Sequence, residues 1–247
     1  MQQIRRVRII ESRPDKVARP GSIVFSTDPT FATADDGHTY ILKGPSWRVS
    51  FPELVAYRLA DLVHLRVPAY AVGLGAEGQT YFASRELPGR TGVLDLIRAE
   101  RTDFPSFMPE CIAFDVWIAN VDRNSGGVLL DAAAGLDRVR LPLFAIDFEK
   151  SAGLNGMSSL QVPMLKAREF WPRGELGELC LNLAPSPEAN RRIQRVEKGQ
   201  IGAVVEEVLD ALDHPADIDW AETTVGVLTN RAERIGDLVE EVWRARG

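Results

Sequence analysis

The sequence contains few of the residues that mark secreted, zinc-binding or membrane-spanning proteins. Only two cysteines occur among its 247 residues. Both Cys111 and Cys180 lie in apolar helical patterns, which predicts reduced thiols and a cytoplasmic location. The three histidines are widely scattered, so we expect no zinc site. No apolar run approaches the roughly 18 residues that cross a bilayer, and the first residues lack the apolar core of a signal peptide.

The chain also has no excess of positive charge. The chain has 29 Lys and Arg residues against 35 Asp and Glu residues, for a formal net charge of -6 at pH 7. Domains that bind nucleic acid non-specifically are normally basic, so we expect neither a nucleic-acid nor a membrane partner. The length suits one large domain or two small lobes that share a cleft.

The most informative segment runs from residue 111 to residue 151. Cys111–Ala119 is apolar at helical spacing, which predicts a buried helix. A polar cluster rich in Asn, Asp and Gly follows at residues 120–127. Val128–Leu130 and Leu141–Ile146 are short apolar runs separated by a turn, and this pattern predicts a β-hairpin.

Two carboxylates flank this predicted hairpin: Asp122 precedes it, and Asp147 follows its second strand directly. Protein kinases place an aspartate that orients the accepting hydroxyl before such a hairpin, and a Mg²⁺-binding aspartate after it. Phosphoryl transfer needs mainly positioning and charge stabilisation, which these groups provide. An ordinary turn would explain Asp122 and Asn124 equally well, because Asx residues and glycine dominate turns.

A strand that ends in Lys43 and a helix that carries Glu53 precede this segment. The helix is predicted over Phe51–Val63, with Pro52 in its first turn. In kinases a strand lysine pairs with a helix glutamate and contacts the ATP phosphates. Two simpler explanations remain open: Lys43 is a surface residue with a buried stem, and Glu53 interacts with the helix dipole.

Residue patterns elsewhere predict strands in the N-terminal part of the chain and helices after it. Ile4–Ile10 alternates basic and apolar residues, as in an edge strand. Helical patterns dominate from about Leu94 onward and include a final helix over Ala221–Arg246. A boundary between two parts of the protein is therefore expected within Glu86–Gly92. Kinases hold adenine through backbone groups at such a connector, which makes Glu86 and Leu87 candidates; a plain connecting loop is the alternative.

Taken together, four segments resemble the HipA-like kinase family, bacterial proteins distantly related to phosphoinositide-type and protein kinases. The segments are Y-I-L-K-G at residue 40, F-P-E-L-V-A-Y-R-L-A-D-L-V-H-L-R-V-P at 51, A-F-D-V-W-I-A-N-V-D-R-N-S-G-G-V-L-L at 113, and F-A-I-D-F-E-K-S at 144. The resemblance extends from about Gly21 to the C-terminal helix. It implies a two-lobed α+β fold, with a small β-rich N-terminal lobe over residues 1–88 and a larger helical lobe over residues 89–247.

The resemblance also implies roles for individual residues. Lys43 would bind the ATP phosphates and Glu53 would hold Lys43. Asp122 would be the catalytic aspartate and Asp147 the Mg²⁺ ligand. The implied reaction transfers the γ-phosphoryl group of ATP to a hydroxyl, by analogy that of Ser or Thr in a protein.

One departure from the family pattern puts activity in doubt. The family has a metal-binding Asn five residues after the catalytic aspartate, whereas this chain has Gly127. Asn124 or a water molecule would have to take its place. Two alternatives therefore stay open: a pseudokinase that acts through a partner protein, and a kinase of small molecules, since a fold does not fix a substrate.

Three further expectations concern loops. Glu149 stands where protein kinases have Gly, and we expect it to be an exposed loop residue rather than a further acidic group near the metal. Ser22 and Ser26 are candidate autophosphorylation sites. The segment after Ser151 is where an activation loop or substrate-facing region would lie.

Overall fold

The computed structural model describes residues 3–14, 30–87, 93–131, 140–151, 153–154, 165–214 and 218–246. Ser22 and Ser26, the boundary predicted at residue 88, and residues 155–164 of the predicted activation loop lie outside the described residues. Both cysteines are free and buried, as predicted, and burial raises the pKa of the Cys180 thiol to about 12.

Five strands near the N-terminus form a closed barrel in the order β1-β2-β3-β5-β4. A parallel pairing between β1 and β4 closes the ring, with Arg6 opposite Val72 and Arg8 opposite Leu74. The prediction of an edge strand at the N-terminus was wrong, because β1 has a neighbour on each side. The strands are β1 Arg6–Pro14, β2 Thr30–Ala34, β3 Thr39–Lys43, β4 Tyr70–Leu74 and β5 Thr80–Arg85.

The barrel interior holds small side chains and directs Lys43 outward. Four alanines share the interior with Tyr40, Leu42 and Val7, because the lumen of a narrow barrel is filled by side chains alone. Successive residues of a strand point to opposite faces. Tyr40 and Leu42 therefore point inward, and Lys43 at the end of β3 points to the outer face.

Helix α1, Trp47–Val63, lies against the outside of the barrel and begins four residues before the predicted start at Phe51. The extra turn is held by aromatic packing: the Trp47 ring lies 5.2 Å from that of Trp220, edge to face. Pro52 is therefore inside the helix, not in its first turn. Glu53 is likewise too far from the helix start for the dipole to explain its presence.

Most of the remaining described chain is helical. Helix α3 is its centre: Met108, Ile112 and Trp117 are wholly buried. No helix in the described ranges is both long and apolar enough to cross a bilayer. The elements are α2 Val93–Arg98, α3 Phe104–Ile118, β6 Val128–Leu130, β7 Leu143–Ala145, α4 Gly174–Cys180, α5 Pro187–Gln194, α6 Lys198–Ala211, α7 Ile218–Glu233 and α8 Ile235–Arg244.

The C-terminal segment forms two helices where one was predicted. The backbone leaves the helical conformation at Arg234, with φ -105° and ψ 8°. The break turns α8 so that Ile235, Val239 and Val242 are buried. The apolar spacing continues on both sides of the break, so periodicity alone could not detect it.

An arginine on α7 fixes the end of α3 and hence the start of the loop that carries Asp122. Arg231 Nε donates to the carbonyl oxygens of Val116 at 2.9 Å and Trp117 at 3.0 Å. These carbonyls belong to the last turn of α3, where intrahelical partners are missing. Burial lowers the pKa of Arg231 to about 10, so its guanidinium remains charged at neutral pH.

The burial of α1 gives a test of this packing. Leu59 is wholly buried, whereas Leu181 is 43% exposed. Leu59→Ala is expected to lower the free energy of unfolding by about 2–5 kcal/mol, because it removes a packed side chain and leaves a cavity. Leu181→Ala should change it by less than about 0.5 kcal/mol. Urea unfolding of both variants measures the difference, and equal losses would contradict the packing described for α1.

Candidate active site

Lys43 lies at the centre of an ionic cluster formed by three separate parts of the chain. Its Nζ atom is 2.6 Å from Glu53 Oε1 on α1 and 2.7 Å from Asp147 Oδ1 after β7. Glu149 Oε2 is 3.4 Å away. Burial alone would lower the pKa of Lys43, but the three carboxylates outweigh burial and raise it. Lys43 is therefore an ammonium at neutral pH.

Glu53 connects this ammonium to the backbone that follows β7. Its side chain is wholly buried, and Oε1 also accepts hydrogen bonds from the N–H groups of Phe148 at 2.9 Å and Glu149 at 3.0 Å. Burial raises the pKa of Glu53. Its second oxygen, Oε2, is buried and has no hydrogen-bond partner among the described residues. A lone buried oxygen is costly, so this cluster has room for one more cation or donor.

Asp147 has a backbone conformation that side chains rarely adopt. Its φ is +66°, in the left-handed region, where Asp is better tolerated than most residues. The turn directs its carboxylate to Lys43 while leaving 30% of the side chain exposed. Burial would raise the pKa of Asp147, but Lys43 lowers it below its ordinary value. Asp147 is thus an accessible carboxylate in a strained turn, as is common at functional sites.

The predicted hairpin is confirmed, and it holds the two flanking segments together. Val128 of β6 pairs with Ala145 of β7 in an antiparallel register. The N–H of Ile146 also donates to the carbonyl of Gly127 at 3.0 Å. The residues just before β6 therefore lie beside those just after β7, and Asp147 follows this junction directly.

A buried ion pair between Arg123 and Asp115 fixes the loop before the hairpin. Arg123 Nε is 2.7 Å from Asp115 Oδ2, and Nη2 is 2.7 Å from Oδ1. The remaining guanidinium nitrogen, Nη1, donates to the carbonyls of Gly127 and Ile146. Asn120 donates to Asp115 as well, at 2.8 Å. One side chain thus joins α3, the loop and both ends of the hairpin.

This arrangement explains the glycine at position 127. A Cβ atom there would lie 2.6 Å from Arg123 Nη1 and 3.4 Å from the carbonyl oxygen of Ile146. Arg123 cannot move aside easily, because Asp115 holds it in a bidentate pair. Any side chain at 127 therefore competes with Arg123 for space.

Asp122 lies next to this junction and contacts two cations. Its Oδ2 atom is 2.7 Å from Lys150 Nζ, and its Oδ1 atom is 3.0 Å from Arg173 Nη1. Lys150 follows Asp147 by three residues, so one short segment carries Asp147 and also contacts Asp122. This contact raises the pKa of Lys150.

Asn124 begins a 3₁₀ turn over Ser125–Gly127. Its Oδ1 atom accepts from the N–H of Gly126 at 2.8 Å, and its Nδ2 atom donates to the carbonyl of Asp122 at 3.0 Å. An amide oxygen has two lone pairs, so Oδ1 retains one after this hydrogen bond. The proposed metal role of Asn124 stays a prediction.

Comparisons with known proteins identify the fold. No protein-family model matches the sequence, and no curated protein matches it. The solved structure of the Helicobacter pylori proinflammatory kinase CtkA is similar over 95% of this chain and 96% of that one, with a TM-score of 0.57 and 13% identity. A chain of the toxin–antitoxin complex of HipA, HipB and operator DNA from Shewanella oneidensis MR-1 is similar over 94% of this chain and 68% of that one, with a TM-score of 0.50 and 13% identity. The chain has a HipA-like kinase fold.

Within the HipA-like fold, the charged cluster suits a divalent cation. Oxygen atoms of Glu53, Asp147 and Glu149 all lie within 4.8 Å of one another. Mg²⁺ prefers oxygen ligands and usually binds one or two carboxylates together with substrate phosphates. The accessible carboxylate of Asp147 fits this preference.

The sequence-predicted residues form three groups in the HipA-like fold. Lys43 contacts both Glu53 and Asp147, and Asn124 donates to the carbonyl of Asp122. The third group is Glu86 with Leu87. Glu86 and Leu87 directly follow β5, where the N–H of Glu86 donates to the carbonyl of Thr39 at 2.9 Å. In the described part of the chain no hydrogen bond or ion pair joins either of them to the Lys43 cluster, so their contact with adenine stays a prediction.

Sequence reasoning missed several residues and misjudged one. Glu149 is not an exposed loop residue: only 12% of its side chain is accessible, and it faces Lys43. The roles of Asp115, Arg123, Lys150 and Arg173 were not predicted. Arg123 stands inside the D-R-N motif, which could have drawn attention to it, whereas Arg173 lies in no motif at all.

The clash at position 127 predicts that restoring the family asparagine is harmful here. Gly127→Asn is expected to lower the free energy of unfolding by about 1–3 kcal/mol, because the new side chain displaces Arg123 from a packed site. The matched control is Gly199→Asn, since nothing lies within 4 Å of a Cβ at that position. Denaturant unfolding of both variants gives the comparison. A Gly127→Asn protein as stable as the control would contradict the role assigned to Arg123.

Proposed function

We propose that this protein is a phosphotransferase that moves the γ-phosphoryl group of Mg²⁺-bound ATP to a hydroxyl acceptor. The observation that carries the proposal is the position of the Lys43 ammonium group. It donates hydrogen bonds to both Glu53 on α1 and Asp147 after β7. Kinases bring a strand lysine, a helix glutamate and a metal-binding aspartate together in this way to bind ATP phosphates. The similarity to solved kinase structures supports this assignment.

On the nucleotide side, each residue has a distinct task. Lys43 contacts the ATP phosphates, and Glu53 holds it in position with its three hydrogen bonds to Oε1. Asp147 would hold Mg²⁺, with Asn124 as a second ligand, and bound Mg²⁺ would neutralise charge on the phosphates. Pre-set charges of this kind account for most of the catalysis of phosphoryl transfer.

On the acceptor side, Asp122 orients the hydroxyl and accepts its proton. The carboxylate is only 21% exposed, and Lys150 and Arg173 fix its orientation. We place the nucleotide in a cleft between a β-rich lobe of residues 1–88 and a helical lobe of residues 89–247. Backbone groups of Glu86 and Leu87 would contact adenine at the edge of this cleft.

The acceptor is a protein serine or threonine, or a hydroxyl of a small molecule, in the cytoplasm. A second candidate function is a pseudokinase that binds nucleotide and acts through a partner protein. The specific observation that favours it is Gly127, beside which Arg123 and the Ile146 carbonyl leave no space for the asparagine of the family pattern. The two functions share the nucleotide site and differ in turnover.

The first experiment incubates purified protein with Mg²⁺ and ATP, and follows ADP release and intact mass in parallel. Asp147→Asn and Asp122→Asn are expected to lower the rate of transfer at least about 100-fold, because each removes a charge at the reacting groups. Asp237→Asn is the matched control, since Asp237 lies exposed in the first turn of α8. It should retain the rate of the natural protein.

A titration with a fluorescent ATP analogue, with Mg²⁺ or with EDTA, separates the two functions. A kinase binds the nucleotide in a Mg²⁺-dependent manner and releases ADP. A pseudokinase binds nucleotide in the same Asp147-dependent manner without turnover. Nucleotide binding that is absent, or that Asp147→Asn leaves unchanged, would overturn the proposed nucleotide site altogether.

A further inference from the structure

Cations outnumber carboxylates in the ion pairs of Asp122, whereas carboxylates outnumber cations around Lys43. Lys150 and Arg173 each form an ion pair with Asp122. In the part of the chain that the structure describes, no other carboxylate lies within ion-pair distance of either cation. Within ion-pair distance this group contains two cations for one carboxylate, and the charges of Glu149 and Asp147 act on Lys150 from farther away. Lys43, by contrast, is a single cation within ion-pair distance of three carboxylates.

Both cations are accessible to an approaching molecule. The side chain of Lys150 is 50% exposed and that of Arg173 is 59% exposed. They contact different oxygen atoms of Asp122, so they flank its carboxylate. An acceptor hydroxyl that reaches Asp122 must pass close to both.

The backbone that carries Arg173 is held in place by the fold. Arg173 donates its backbone N–H to the carbonyl of Arg123 at 2.8 Å, which anchors it to the loop that carries Asp122. Helix α4 then packs closely against Pro172: a Cβ on Gly177 would lie 2.1 Å from the Pro172 carbonyl oxygen. Lys150 follows the strained turn at Asp147. A backbone that is already placed reduces the reorganisation that binding a ligand requires.

From this arrangement we propose that the acceptor is anionic, a hydroxyl compound with a negative charge beside the hydroxyl. The inference rests on the proposed phosphotransferase function and specifies its substrate class. The chain as a whole carries a formal net charge of -6, so a cationic pair beside Asp122 is a local feature rather than a general one. Local fields of this kind attract ligands of opposite charge and repel those of like charge.

The test uses three fluorescent serine peptides that differ only in whether Asp, Ala or Lys flanks the serine. Binding is measured by anisotropy with Mg²⁺ and a non-hydrolysable ATP analogue, so that it does not depend on turnover. We expect the Asp-flanked peptide to bind at least about 5-fold more tightly than the Ala-flanked peptide, with a smaller ratio at high salt. Glycerol 3-phosphate and glycerol form the matched small-molecule pair, compared by ADP release.

Two variants and one control assign any preference to these cations. Arg173→Met and Lys150→Met should each reduce the preference for the Asp-flanked peptide about 2- to 5-fold, the usual range for an exposed ion pair. Arg244→Met is the control, because Arg244 is an exposed arginine on α8 that pairs with Glu240. This control should keep the full preference.

The outcomes distinguish this inference from the proposed function. Equal binding of all three peptides together with no preference for glycerol 3-phosphate over glycerol overturns the anionic acceptor even if ADP is released, and so does tighter binding of the Lys-flanked peptide. A preference for glycerol 3-phosphate with no peptide preference supports an anionic small molecule instead of a peptide. A preference without any ADP release retains the anionic site and removes the phosphotransferase. If both variants slow transfer to every acceptor alike and the peptide preference persists, the cations serve the transferring phosphoryl group and the inference fails.

Discussion

The buried ion pair between Arg123 and Asp115 is the interaction on which the rest of the candidate site depends. Every nitrogen of the Arg123 guanidinium group donates a hydrogen bond: two go to Asp115 and the third serves two carbonyls. Burying two charges is costly unless hydrogen bonds compensate for the lost water, and here four of the five guanidinium N–H groups have acceptors. The pair joins the end of α3 to both ends of the hairpin, and so sets the separation of Asp122 from Asp147.

Local patterns were sufficient to predict the parts of the site that depend on short-range order. The hairpin between Asp122 and Asp147 follows from two apolar runs and a turn. The pairing of Lys43 with Glu53 followed from their order along the chain and the resemblance to kinases. In each case the informative residues are close in sequence or belong to a known motif, and the structure brings Lys43, Glu53 and Asp147 into direct contact.

The features that escaped prediction depend on contacts between distant segments. Closure of the barrel requires β1 to pair with β4, and no residue in β1 signals that partner. The first turn of α1 depends on packing against Trp220, far along the chain. Gly127 was interpreted as the departure that puts activity in doubt, but Arg123 also requires a glycine at this position. Sequence periodicity cannot reveal such requirements, because they arise only when the partners meet in space.

Closure of the barrel also limits how another protein can bind this region. Each of the five strands has a hydrogen-bonded neighbour on both sides, although β1 pairs with β4 only at Arg6, Val7 and Arg8. Many signalling domains bind an extended peptide by adding it as a further strand to an open sheet edge. Where the described strands are paired on both sides, such an addition would break an existing pair. A protein that recognises this paired part must therefore bind through side chains on its outer face, where sequence-specific contacts rather than backbone pairing decide the affinity.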